Sequence, residues 1–84
     1  MTRRRLSTAK VEAASLQASR RMIARGERPA YRLRMGQDGR WTVTEAPWLS
    51  VAATDRRGAL RSAIDAIAAW LDVPLDTFDV DADY

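Results

Sequence analysis

The chain has no cysteine and no histidine. The first absence excludes a disulfide framework and thiolate chemistry, and it suits a reducing compartment. The second removes the commonest general base and the commonest metal ligand. Ser7, Ser15, Ser19, Ser50 and Ser62 therefore lack an imidazole to activate them. Glycine is scarce, and neither Gly26 nor the Gly36/Gly39 pair forms a phosphate-cradling loop that opens a helix. No long apolar run exists either: the longest, Ala66 to Leu71, falls far short of the ~20 residues that span a bilayer. The Arg3-Arg4-Arg5 run is followed by Leu6-Ser7-Thr8-Ala9-Lys10, which holds no apolar stretch to make a signal-peptide core. A soluble, cytoplasmic, non-enzymatic protein without a cofactor or bound metal is expected.

What the chain has is alanine and arginine. Of its 84 residues 46% are hydrophobic, but fifteen of these are alanine, so the larger side chains suffice for one small core. A domain of this size is marginally stable alone, and self-association as a homodimer or higher oligomer is expected. The formal net charge of +3 conceals two unlike halves: residues 1–40 sum to +8 and residues 41–84 to −5. Such polarity either marks a surface for a polyanion or acidic partner or is neutralised within the fold or across a dimer.

Residues 7–25 read as a helix, capped by Ser7 or Thr8 and ended by Gly26. Leu16 and Ile23 share one face with Ala9 and Ala13, while Val11, Ala18 and Met22 lie nearly opposite. After the linker Gly26–Pro29, Tyr31 to Met35 alternates strictly, placing Tyr31, Leu33 and Met35 inward and Arg32 and Arg34 outward. A glycine turn leads to a returning strand over Trp41–Thr44, which Pro47 closes, and a third strand fits Leu49–Ala53 with Leu49, Val51 and Ala53 buried. Thr54 or Asp55 caps a second helix that runs to about Asp72. Its apolar stripe is Leu60, Ala63, Ile64, Ile67 and Leu71, with Arg61, Asp65, Ala68 and Asp72 exposed. Thr77–Val80 suits a short fourth strand. The fold class is thus α+β, in the order α-β-β-β-α-β. A basic arm and helix occupy residues 1–29, and a β-β-β-α-β domain with a three-stranded antiparallel meander occupies residues 30–84.

The acidic tail of Asp72, Asp76, Asp79, Asp81 and Asp83 lacks the glycine turn that folds carboxylates around an ion; it reads as a solvated strand edge. Nucleic acid is the alternative partner, through Arg3, Arg4, Arg5, Arg20, Arg21 and Arg25, although the last three also suit a helix C-terminus. Tyr31, Trp41 and Trp48 would stack bases only if exposed, and their positions favour packing.

The run Gly39-Arg40-Trp41-Thr42-Val43-Thr44-Glu45-Ala46-Pro47-Trp48-Leu49 resembles the strand and proline-containing turn of the HicB-like antitoxin family, in its short actinobacterial and phage forms. Thr54 to Leu60 resembles the start of the family's helix, and Ala63 to Val73 with Phe78-Asp79-Val80 resembles its ending. The likeness spans Tyr31 to Val80. It departs from the family where Trp48 follows Pro47 in place of glycine, and where Ala53 precedes the cap. The resemblance implies a partial ribonuclease-H-like fold without the nuclease's catalytic acids. It also implies a partner, a small HicA-type ribonuclease toxin that the protein would occlude. Arg32, Arg34, Arg57, Arg61 and Asp65 are the expected partner-binding residues. The added N-terminal helix leaves open a phage protein that targets a host factor.

Overall fold

The computed structural model describes residues 8–83. Its elements are helix α1 (Thr8–Ala24), strands β1 (Ala30–Met35), β2 (Arg40–Val43) and β3 (Ala46–Ala52), helix α2 (Arg56–Leu71) and strand β4 (Asp79–Asp83). The strands form one mixed sheet in the order β3-β2-β1-β4. The first three make the expected antiparallel meander. β4 joins it parallel to β1, with Ala30 opposite Asp79 and Leu33 opposite Ala82. It begins two residues later than the sequence pattern suggested, because Thr77 is occupied in a turn onto the Pro74 carbonyl.

Local chemistry sets the boundaries. α1 ends at Gly26, whose φ of +82° favours glycine. The Gly26 N–H bonds the Ile23 carbonyl and the Glu27 N–H the Met22 carbonyl, the paired pattern of a Schellman stop. Asp55 caps α2 by accepting the Gly58 N–H at 2.8 Å. Asp72 ends that helix in the left-handed region, φ 58°. Gly39 turns β1 into β2 at φ +81°.

Both helices cover one face of the sheet. Tyr31 and Leu33 of β1, Trp41 and Val43 of β2, and Phe78 pack with Ala59, Ala63, Ile67, Ala68 and Leu71 of α2. Leu33, Ile67, Leu71 and Val43 are the largest side chains fully removed from solvent; each such burial is worth about 1.5–3 kcal/mol. α1 adds Leu16 and Ile23 to this core. Its sheltered side is Glu12, Ser15, Leu16, Ser19, Met22 and Ile23, so Ala9 and Ala13, expected beside Leu16, are exposed.

Three expectations for the core need correction. Met35 is 52% exposed, because the β1–β4 register stops at Arg34 and leaves it flanked by β2 alone. Ala68 is buried and Leu60 and Ile64 only partly so: α2 is rolled towards Ala59, and the small alanine side chains let it sit close to the sheet. Pro47 does not close β2 but lies within β3, where the absent N–H is tolerated on an edge strand. Thr42 faces Ser50 while Val43 faces Ala46, so residues 47–49 bulge out of the ladder. The bulge overrides strict alternation, and Leu49, Val51 and Ala53 are all only half-buried. It also brings Trp48 against Trp70 of α2, ring centroids 5.6 Å apart.

Candidate protein-binding face

Alternation along the strands decides what the uncovered side of the sheet displays. With Tyr31, Leu33, Trp41 and Val43 inward, Arg32 and Arg34 of β1 and Arg40 and Thr42 of β2 point outward, joined by Ser50 of β3 and Asp81 of β4. Arg34, Thr42 and Ser50 form one row across three strands, and Arg32 is level with Asp81.

The three outward arginines are not equivalent. The Glu45 carboxylate extends the β1–β2 ladder beyond its last backbone pair: it accepts the Arg32 backbone N–H at 2.7 Å and lies 3.5 Å from the Arg32 Nε. The Thr44 N–H bonds the Arg32 carbonyl at 2.7 Å. Arg40 reaches over to β3, donating from Nε to the Ser50 hydroxyl at 3.0 Å and from Nη2 to the Ser50 carbonyl at 3.3 Å. The side chain of Arg34, in the middle, forms no hydrogen bond or ion pair among the described residues and is exposed. Beside it lies a shallow hollow of about 240 Å³ lined by Arg34, Gly36, Thr42, Val43, Thr44 and Pro47.

The expected partner-binding residues fall on two sides of the molecule. Arg32 and Arg34 are on the open sheet face. Arg57, Arg61 and Asp65 are exposed on the outer ridge of α2, whose opposite side packs on the sheet, so the fold does not bring the two groups together. Of the residues considered for nucleic acid, Arg20 and Arg21 are exposed on α1, while Arg25 is paired with Glu27 at 3.1 Å. That pairing raises the Arg25 pKa and lowers that of Glu27, chiefly through the side-chain hydrogen bond. Arg3, Arg4 and Arg5 lie outside the described residues. Tyr31 and Trp41 are each 3% exposed and Trp48 is half-buried, which removes them as base-stacking platforms.

Sequence reasoning missed two arginines. Arg40 and Thr42 belong to the open face, and the same alternation that sends Trp41 and Val43 inward was the signal for them. Arg28, assigned to a linker, clamps β4: it holds the Asp79 carboxylate at 2.9 Å and the carbonyls of Asp76 and Phe78 at 2.5 and 3.0 Å. No local pattern announces a contact between residues so distant in sequence. The hydrogen bond from Arg28 is the main reason the Asp79 pKa lies below the ordinary carboxylate range. Among the described residues no group of acids is arranged to hold a metal ion, and no helix is long and apolar enough to cross a membrane.

No protein-family model matches the chain, and neither the curated proteins nor the solved structures give a match to it.

Proposed function

We propose that the chain is a non-catalytic protein-binding module, a HicB-like antitoxin or an orphan relative, that works in the cytoplasm by covering a partner's surface. The observation that carries this reading is the asymmetry of the sheet. One face is sealed by two helices, and the other is left to solvent with Arg32, Arg34 and Arg40 displayed on it. Arginine is over-represented where proteins meet, because its flat guanidinium combines contact area with several donors. The element order β1-β2-β3-α2-β4 is the order that the resemblance implies, and this supports a small HicA-type ribonuclease as the partner.

The test begins with the open reading frames flanking the gene. A short toxin-like frame next to it is expected. Its purified product should lose RNA cleavage when mixed with an equimolar amount of this chain, and the two should co-elute on gel filtration. Absence of such a frame, or cleavage that continues unchanged, would overturn the antitoxin reading. Residues 1–25 should be dispensable for this binding; complete loss on their removal, with steep salt dependence, would favour nucleic acid instead.

A further inference from the structure

Among the described residues, Arg34 is the outward arginine of the sheet whose guanidinium has no hydrogen-bond or ion-pair partner, since Glu45 engages Arg32 and Ser50 engages Arg40. It also borders the shallow hollow on this face. The hollow follows from two backbone features already described. The bulge carries Pro47 out of the ladder to form one wall, and Gly36 presents no side chain on another. The remaining lining combines the Val43 segment with the hydroxyls of Thr42 and Thr44, neither of which is engaged in a hydrogen bond among the described residues.

This arrangement selects among ligands. Its volume of about 240 Å³ lies below the ~300–1,000 Å³ of sites that enclose a small molecule or cofactor, and is suited to one large side chain. Its lining joins a free guanidinium and two hydroxyls, which suit a carboxylate, to the apolar ring of Pro47. A nucleic-acid strand is a poorer match. Successive phosphates need several free cations in a line, whereas here the flanking arginines are engaged and Glu45 and Asp81 stand on the same face.

We propose that the hollow beside Arg34 is a docking subsite for an acidic residue of a partner polypeptide. The carboxylate would meet Arg34 and the threonine hydroxyls while an adjacent apolar side chain rests against Pro47. The inference rests on the protein-binding reading above and supplies the partner chemistry that reading leaves unspecified.

The experiment is an NMR titration of the full chain with a capped peptide carrying glutamate next to leucine, and with its glutamine counterpart. Saturable shifts confined to the amides of Arg34, Gly36, Thr42, Val43 and Thr44 are expected, with at least tenfold weaker binding of the glutamine peptide. Arg34→Gln should abolish the response and Thr44→Val should weaken it severalfold, while Gln17→Ala, exposed on α1, should leave it unchanged. Each variant's amide spectrum checks that it remains folded. Shifts scattered over the surface, equal binding of the two peptides, or an Arg34→Gln variant that binds normally would overturn the proposal. So would a single-stranded oligonucleotide that moves the same amides more strongly than the peptide, or peptide-independent shifts that grow with protein concentration, the mark of a second copy in the hollow. If toxin inhibition fails while the peptide still binds, the antitoxin reading falls and the subsite stands. If inhibition succeeds while the peptide does not bind, the subsite falls alone.

Discussion

The hydroxyls of Ser19 and Tyr31 meet at 2.7 Å inside the protein, tying α1 to β1 across twelve residues of sequence. Ser19 is the buried polar residue of α1, so the bond fixes both the rotation of the helix and its height on the sheet. Removing either hydroxyl leaves its partner unsatisfied, at a cost of about 1–3 kcal/mol. Ser19→Ala and Tyr31→Phe should each destabilise by that order in urea unfolding, and the double variant by clearly less than their sum.

The same tyrosine gives an alkaline limb to stability. Burial raises its phenol pKa, the Ser19 bond works in the opposite direction, and the Glu45 charge adds to the rise. The unfolded chain therefore releases this proton first. Its contribution is fully present below the ordinary phenol value of about 10 and is lost as pH rises through the folded value. Thermal unfolding across that window should show a decline in the wild type that is shallower in Tyr31→Phe.

A second polar contact fastens α1 nearer its start: the Trp70 indole N–H donates to the Glu12 carboxylate at 3.1 Å. Glu12→Ala should cost about 1 kcal/mol and shift Trp70 fluorescence to the red as the first turns of α1 loosen. Fluorescence indistinguishable from wild type would mean that apolar packing through Leu16 and Ile23 is sufficient to seat the helix.

The Arg28 clamp has the opposite pH signature from Tyr31. Asp79 has a depressed pKa, so its contribution is present above the ordinary carboxylate value of about 4 and is lost as pH falls through the folded one. Arg28→Ala should lower Tm at neutral pH, and the gap from wild type should narrow in acid. It should not close, because the bonds from Arg28 to the Asp76 and Phe78 carbonyls do not titrate.

At the β1–β2 turn, Gly39 holds φ at +81° with open space around it. Gly39→Ala should therefore cost only the backbone strain, about 1 kcal/mol, visible as a small drop in the urea midpoint without a change in slope.

Periodicity made the elements legible and topology made the site hard to read. Strict alternation from Tyr31 to Arg34 and the apolar stripe of α2 reflect contacts between each element and the core, so one-dimensional spacing captures them. The exposure of Met35, the roll of α2 onto Ala59 and Ala68, and the bulge at Pro47 depend on which strand lies next to which. Arg32 and Arg34 could be read as outward, but that only Arg34 remains unengaged follows from Glu45 and Ser50, whose positions are set by the turn and by a neighbouring strand. The split between Arg34 and the Arg57–Asp65 ridge likewise needs the layer arrangement, since charge pattern alone does not say which side of a sheet a helix covers.

The parallel pairing of β4 with β1 has a consequence for how the chain acquires its structure. Partners such as Ala30 and Asp79 are separated by about fifty residues, so their union closes a long loop and must await it. Until then β1 has one naked edge, next to Tyr31 and Leu33, that any passing strand can template upon. The arginine at position 28 stands at the mouth of that gap, ready to draw in Asp79. Slow synthesis through residues 76–83 should therefore leave the nascent protein most vulnerable to aggregation.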